Sequence, residues 1–553
     1  MFLGINAWMT PTVSWFPELL SHLRDLLGPV LPAPAGEPNH FFTSSELARL
    51  HHATDKPGSG ALDEQTWDDL LLGQYADSLS DKVSIFGRQE LHRRLRAGLD
   101  DVDCAAQVER VRAWIADRAG LAAVQRSLLP LRHAEHEIAD LLFVQTAPAV
   151  PRWVRWSWLL PVALLASLVP LVMWPFGWVA TLCALYPLFA LQIRFHARAE
   201  PWKATLDSVQ RVLAVCHALG ASEHPLLAHF RPLRSEAGRL GQRLARPVLE
   251  RMVPGASSYA DWFCAANVTR YFTTLDQVFR ERDFLQRCFL QCAELEADSA
   301  LARHLAQAPL WCWAGRSDAR TIALTAGVHP LMERAAPLSI SLAGKGAFIS
   351  GQNASGKSTF LRMLGLNLVA ARAFGFCYAQ QARLPALPVY ASMHNEDSLL
   401  GGDSLYMAEL RRAKELLAAA DGPHPGICLI DEIFRGTNHV ESVSAAAAVL
   451  DTLAAKSLVV VSSHNLVLAT LLAHHLDPYF ISLGHDVMQL EAGVLAHTNG
   501  IALLATQGFG KRVEDKAGKV AQWLSSYLAQ PASAVGVLHG PNGDAVAAER
   551  LQA

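Results

Sequence analysis

Thirty-eight consecutive residues, Trp156 to Ile193, carry no charged side chain. A run of that length either crosses a bilayer or lies buried in protein, because water-facing helices seldom continue so far without charge. One bilayer-crossing helix needs about 20 apolar residues, so the run predicts two short helices. Trp174-Pro175-Phe176-Gly177, near its middle, reads as the turn between them. Arg152 and Arg155 precede the run, and Arg194 and Arg198 follow it. Basic residues at both ends place both ends on the cytosolic side, which a hairpin satisfies and a single span does not. Tryptophans at 153, 156, 158, 174 and 178 suit headgroup depth. The competing reading is a hairpin buried in a soluble core.

The chain has 553 residues, enough for several domains. Its boundaries follow changes of pattern. Residues 1–60 form a mixed N-terminal segment that ends in a Pro/Gly/Ser-rich loop. Residues 61–150 show helical periodicity and form a first part of a helical core. Residues 151–198 are the expected transmembrane hairpin. Residues 199–310 return to amphipathic helix, a second core and lever part. Residues 311–530 alternate short β-branched runs with helices, the pattern of an α/β unit with a parallel sheet. The tail 531–553 has the composition of a disordered segment. Formal net charge is -3, so no global basic character advertises nucleic acid. The nine cysteines are scattered, and the one close pair, Cys288 and Cys292, lacks partners for a zinc site. They read as reduced core thiols in a reducing compartment. The first eleven residues show no basic stretch leading into an apolar one, so no secretory signal is expected.

The strongest chemical signal is Gly351-Gln352-Asn353-Ala354-Ser355-Gly356-Lys357-Ser358, which fits GxxxxGK[ST]. It follows a strand-like run, Ala347 to Ser350, and precedes a helical run beginning at Thr359. In that order, backbone N–H groups of Gly351, Ser355 and Gly356 and the helix start at Thr359 can face phosphate. Lys357 would reach the β- and γ-phosphates, and Ser358 would ligate Mg²⁺. A second apolar run, Ile427 to Ile430, delivers Asp431 and Glu432 at its end. Asp431 would hold Mg²⁺, and Glu432 would polarise the attacking water as catalytic base. A third run, Leu458 to Val461, ends in Ser462-Ser463-His464, where His464 can sense or orient the γ-phosphate. Finally, Gly401-Gly402-Asp403-Ser404 leads into a helix from Leu405 to Ala420. With the first phosphate loop occupied, Ser404 is expected to cap the γ-phosphate held by a second copy, unless it is only an N-cap.

Together these motifs resemble the MutS family. His329-Pro330-Leu331 stands ahead of the phosphate loop as that family's His-Pro element does, and Asn353 occupies the position of its loop asparagine. Asp431-Glu432-Ile433-Phe434-Arg435-Gly436-Thr437-Asn438 matches its Asp-Glu-x-x-Arg-Gly-Thr-Ser/Asn extension. Ser462-Ser463-His464-Asn465 stands where MutS proteins carry Ala-Thr-His, and Asn499 to Ala505 resembles their final helix start. The match is strong over roughly 320–515 and extends weakly to Ser84-Ile85-Phe86-Gly87-Arg88-Gln89 in the helical core. Two Phe-x-Glu strings, Phe16-Pro17-Glu18 and Phe279-Arg280-Glu281, fit the mismatch wedge only by their letters. Residues 1–60 are too few for both N-terminal domains of a repair protein, so the resemblance does not extend to mismatch recognition. The uncharged hairpin instead resembles a membrane-associated subgroup of MutS-like ATPases.

The resemblance implies a P-loop α/β ATPase of the ABC/MutS type joined to an all-helical core. It implies ATP and Mg²⁺ as cofactors, a homodimer formed through the ATPase domains, and DNA as a partner. The hairpin adds a lipid bilayer as partner and places the chain at the cytoplasmic (inner) membrane with the ATPase facing the cytoplasm. Two alternatives stand beside this. One is a membrane-tethered scaffolding or mechanochemical ATPase without a DNA ligand. The other is an ABC-type transporter ATPase, which the Arg435-to-Asn438 extension and so short a hairpin oppose.

Overall fold

The computed structural model describes residues 40–55, 60–245, 256–352, 355–393, 405–422, 426–435, 438–484, 487–495 and 511–528. Phe16 to Glu18, Asn353, Gly401 to Ser404, Gly436-Thr437, Asn499 to Ala505 and the tail 531–553 lie outside them. The chain separates into two units. One holds residues up to Thr54 with Lys82–Glu90 and Ala116–Ala300; the other holds Asp55–Asp81, Leu91–Ile115 and Leu301 onward. The helical stretch 61–150 is thus shared between the two.

The first unit is helical. Its longest element, Trp178–Leu219, runs 42 residues, about 63 Å at the α-helical rise. It does not stop where charges resume after Ile193. Leu206, Val209, Leu213 and Cys216, spaced three and four apart, turn one buried stripe of it into the core. Cys216 Sγ lies 3.4 Å from Cys292 Sγ within that core. All nine cysteines are free thiols, but the expectation that all are core residues fails for three: Cys183 and Cys264 are exposed and Cys312 is half-buried. Among the described residues no cluster of His, Cys, Asp or Glu suits a metal ion.

The uncharged run forms a hairpin. One helix, Leu159–Met173, packs against the start of Trp178–Leu219, with Trp174 to Gly177 as the turn. Trp174 N–H donates to the Pro170 carbonyl and Gly177 N–H to the Trp174 carbonyl, closing the turn on itself. The outer surface is bare: Val172 is 86% exposed, Trp174 72% and Phe176 75%. The described residues therefore do not bury this hairpin in a core.

A buried carboxylate fixes another part of the same unit. Glu296 Oε1 accepts from Ser84 N–H at 2.8 Å, and Oε2 accepts from the Ser84 hydroxyl and from Gly87 N–H at 3.1 Å. It thereby caps the first turn of the helix Ile85–Ala97, where the N–H groups have no intrahelical partner. Glycine at 87 lets the carboxylate approach: a Cβ there would sit 2.8 Å from Glu296 Cγ. Burial pushes the Glu296 carboxyl up to about 6 against these three donors, which pull it down.

Among the described residues the second unit carries three sheets. Its strands are β1 (Cys312–Trp313), β2 (Gly315–Arg316), β3 (Thr321–Gly327), β4 (Leu338–Ala343), β5 (Gly346–Gly351), β6 (Phe376–Cys377), β7 (Gln381–Leu384), β8 (Val389–Ser392), β9 (Ile427–Asp431), β10 (Leu458–Ser462), β11 (Leu476–Gly484) and β12 (Val487–Ala492). The main sheet has the order β12-β11-β5-β10-β9-β8, parallel throughout except for β12 at one edge. Strands β5, β9 and β10 are apolar along almost their whole length, as central parallel strands covered on both faces must be. Phe348, Ile430, Val459 and Val461 pack with Leu416, Phe434, Leu450 and Leu453 in one buried cluster. The four-stranded sheet β2-β7-β3-β4 is a second layer that periodicity alone did not predict.

The opposite edge strand, β8, is covered rather than bare. Ala391 N–H donates to the Thr66 hydroxyl at 2.9 Å, and Met393 N–H, just past the strand, donates to Asp69 Oδ2 at 2.8 Å. Arg412, almost fully buried, binds Asp63 and donates to the Ala391 carbonyl at 2.5 Å, tying the helices Glu64–Asp69 and Leu405–Ala420 to that edge. Capping an edge this way removes the row of open donors that invites strand addition.

Candidate active site

Three strands deliver the chemical groups to one place. Parallel register sets Ser462 against Asp431 and Ile349 against Ser462, so the ends of β5, β9 and β10 coincide. That C-terminal edge is where open parallel sheets bind ligands. Gly351 closes β5, and the helix Lys357–Phe374 follows after a short loop. Gly356, its N-cap, has φ +90°, a conformation that favours glycine, and a Cβ there would strike the Met488 side chain. The first N–H groups of such a helix have no intrahelical partner, and its start adds positive potential at the site.

Lys357 is buried in the loop, where its ammonium donates to the Gly351 and Gln352 carbonyls at 3.2 Å each. Burial holds its pKa below the usual lysine value, although Glu432 and Asp431 pull the other way. Ser358 Oγ donates to Asp431 Oδ2, and Ser462 Oγ donates to Asp431 Oδ1. Both carboxylate oxygens of Asp431 are thus oriented by hydroxyls, one of them on the phosphate-loop helix. The Ser355 hydroxyl is buried and has no hydrogen-bond partner among the described residues.

Glu432 leaves the end of β9 with φ +55°, and Phe434 follows with φ +59°. Two non-glycine residues in the left-handed region make a sharp, strained turn, a feature that clusters at functional sites. The turn is held by Glu432 N–H donating to the Ser462 carbonyl at 3.0 Å and by the buried Phe434 ring. It aims the Glu432 carboxylate at His464, whose Nε2 lies 2.9 Å from Oε1. The same Nε2 is 3.4 Å from the Lys357 ammonium. Arg435 Nη1 sits 3.4 Å from Glu432 Oε2 and its Nε 3.8 Å from the buried Glu409. The hydrogen bond from His464 first, then its charge and those of Arg435 and Lys357, hold Glu432 below the usual carboxylate range despite partial burial. Glu432 is therefore an anion at neutral pH, fit to accept a proton.

The structure brings together Gly351, Ser355, Gly356, Lys357, Ser358, Thr359, Asp431, Glu432 and His464 of the residues expected from sequence. Asn353 and Ser404 lie outside the described residues. Three further contributors emerge. Ser462 was legible only as part of the Ser-Ser-His string, Arg435 only as part of a motif, and Glu409 had no sequence signal. His329, in the His-Pro segment, is buried, and that burial pushes it down to about 4, so it is neutral.

The donor set suits a nucleoside triphosphate with a divalent cation. A serine hydroxyl beside a carboxylate offers hard oxygen ligands, of the kind Mg²⁺ takes. An ammonium held by two backbone carbonyls and an unpartnered buried hydroxyl are groups that a phosphate would satisfy. Residues 347–524 match MutS domain V. The DNA mismatch repair protein MSH3 of Phaeosphaeria nodorum is 28% identical over 38% of this chain and 19% of its own length. The DNA mismatch repair protein MutS of Thermus aquaticus is 28% identical over 37% of this chain and 26% of its own. The DNA mismatch repair protein MutS of Natronomonas pharaonis is 27% identical over 51% of this chain and 34% of its own. The matches thus take in about a fifth to a third of the length of these relatives.

Proposed function

The chain belongs to the MutS family, and from that premise we propose that it is a Mg²⁺-dependent ATP hydrolase in which nucleotide state switches the conformation of a dimer. The observation that carries this is the meeting of Ser358 and Ser462 on Asp431 beside a Glu432–His464–Lys357 chain. Bound Mg²⁺ would neutralise phosphate charge and draw electron density from the bond that breaks. Lys357 would exchange its two carbonyl partners for phosphate oxygens. Glu432, anionic and fixed by the strained turn, would orient water and accept its proton. His464 would steady Glu432 and lie against the terminal phosphate. Ser404 would close the site of a neighbouring copy.

By family, the output is binding of DNA in a repair-related role. The bare hairpin favours a second reading in which the same ATPase works as a tethered scaffold at the cytoplasmic membrane, with the catalytic unit on the cytoplasmic side. Steady-state ATP hydrolysis with and without duplex, mismatched and branched DNA, at fixed salt, separates the two. Stimulation by DNA supports the first; a rate indifferent to every DNA and raised by lipid vesicles supports the second.

A further inference from the structure

The part of the hairpin that clears its own base is shorter than a bilayer core is thick. Its base is a buried aromatic cluster: Trp153, Phe195 and Phe272 meet with ring centroids 5.2–5.9 Å apart. Leu160 and Leu164 of the first hairpin helix pack against that cluster, and Leu188 of the second is fully buried in it. Above Phe195 on the same helix, Phe189 meets Trp262 at 5.5 Å, on the short helix Ala256–Cys264. That helix also presents Tyr259 and Phe263 to the outside, 69% and 42% exposed. Protein therefore covers one face of the hairpin up to the level of Leu188 and Phe189 on one arm and Leu164 on the other, while Trp158, Leu159, Val162 and Ile193 stay exposed on the other face.

What remains free is Leu165 to Pro187. From Phe189 back to Trp178 is about 16 Å at the helical rise of roughly 1.5 Å per residue, and from Leu164 to Met173 is about 14 Å. A hydrocarbon core is about 30 Å thick. Clear of the base both arms reach about half of it, and even counted from the exposed Leu159 and Ile193 they reach only about 21–22 Å. The free part is fit for that depth. Its turn is closed by its own backbone bonds, Thr181 donates its hydroxyl to the Ser167 carbonyl at 3.2 Å, and Ser167 donates to the Leu164 carbonyl at 2.6 Å. No water is needed to satisfy these groups. Tyr259, Trp262 and Phe263 form an aromatic rim where the free part begins, and the exposed Arg194 lies about 7 Å further down its helix, within reach of phosphates.

Resting on the membrane reading above, we propose that the hairpin inserts into one leaflet only. Leu165 to Pro187 descends to the bilayer midplane and returns, and the aromatic rim stops it at headgroup depth. The test uses full-length protein with Cys183, Cys264 and Cys312 changed to Ser and with Phe176→Cys at the tip. It is placed in sealed phosphatidylethanolamine/phosphatidylglycerol vesicles with the ATPase unit outward. Flotation reports membrane binding, and a membrane-impermeant maleimide supplied outside, or trapped inside, reports depth. The expected result is flotation with the introduced tip thiol labelled from neither side, on the order of tenfold or more slower than in detergent, because water is absent from the core. Labelling from the lumen means that the hairpin crosses, which overturns one-leaflet insertion and leaves the membrane reading standing. Labelling from outside in floating vesicles means that the hairpin lies on the surface, which also overturns it. Failure to float overturns both. Trp174→Cys repeats the test at the other side of the turn, so a fold defect at one position cannot decide it.

Discussion

Glu432 draws its character from three neighbours, and His464 is the first of them. In the wild type, turnover is expected to be lost on the acid side only as pH falls through the depressed Glu432 pKa, because protonation removes the base. In His464→Ala the main cause of the depression is gone. The acid limb should then move to higher pH, toward the ordinary glutamate value, while ATP affinity at neutral pH changes less than kcat. A pH–rate profile checks this; an unmoved acid limb would mean that His464 does not act through Glu432. Lys357, Ser358, Asp431 and Glu432 were legible in the sequence because each sits within a few residues of a strand end that its own neighbours announce. Ser462 bonding Asp431 was not, because that contact joins residues 31 apart through parallel register. Glu409 behind Arg435 was not legible either: one carboxylate among several on an amphipathic helix carries no mark of its long-range partner.

At the scale of elements, the alternation of apolar strands and helices beyond residue 321 foretold the parallel sheet, and β5, β9 and β10 lie within a residue of the expected runs. The second sheet, β2-β7-β3-β4, escaped because it is assembled through β2 and β7, only two and four residues long, while β3 and β4 alternate buried and exposed positions instead of forming the apolar runs that mark the main sheet. The covered edge at β8 depends on Arg412, Asp63 and Thr66, which come from distant parts of the chain. The Ser84-to-Gln89 segment shows a similar dependence through Glu296. Glu296→Ala removes the acceptor of two N–H groups and one hydroxyl in a buried place, so it is expected to cost about 1–3 kcal/mol. The pH dependence has a definite sign. Glu296 in the folded chain titrates at about 6, above the ordinary 4.5, so between these values the folded state binds more protons than the unfolded. Its contribution to stability is largest below about 4.5 and declines as pH rises to about 6. Thermal unfolding followed across that window should show this slope in the wild type and lose it in Glu296→Ala; equal slopes would place the titration elsewhere.

At the scale of the whole molecule, two proposals concern what the chain joins. The first is the shared site. If Ser404 closes the neighbour's nucleotide, Ser404→Ala should bind ATP and hydrolyse it poorly, and Lys357→Ala should fail at its own loop. Mixed, the two variants can form one complete composite site per heterodimer, so part of the activity should return. No recovery, with heterodimers demonstrated by pull-down, would argue for self-contained sites. The second is the membrane. Replacing Leu165 to Pro187 by a short Gly/Ser linker, which leaves Leu160, Leu164 and Leu188 on the buried cluster, should yield ATPase that stays in the soluble fraction without detergent, while full-length protein resists carbonate extraction, which leaves hydrocarbon burial intact. The uncharged run announced this region in the sequence. How far the hairpin stands clear of protein was not legible there, because Trp262 of the rim follows the Phe189 that it meets by 73 residues.

The arrangement of Ser358, Asp431, Glu432 and His464 is expected to hydrolyse ATP. The direct measurement pairs ATP binding with single-turnover hydrolysis in the full chain, wild type against Glu432→Gln. The substitution keeps the shape and removes the base, so ATP affinity should be retained while hydrolysis falls on the order of 10²-fold or more. Equal hydrolysis by the two proteins would contradict the account.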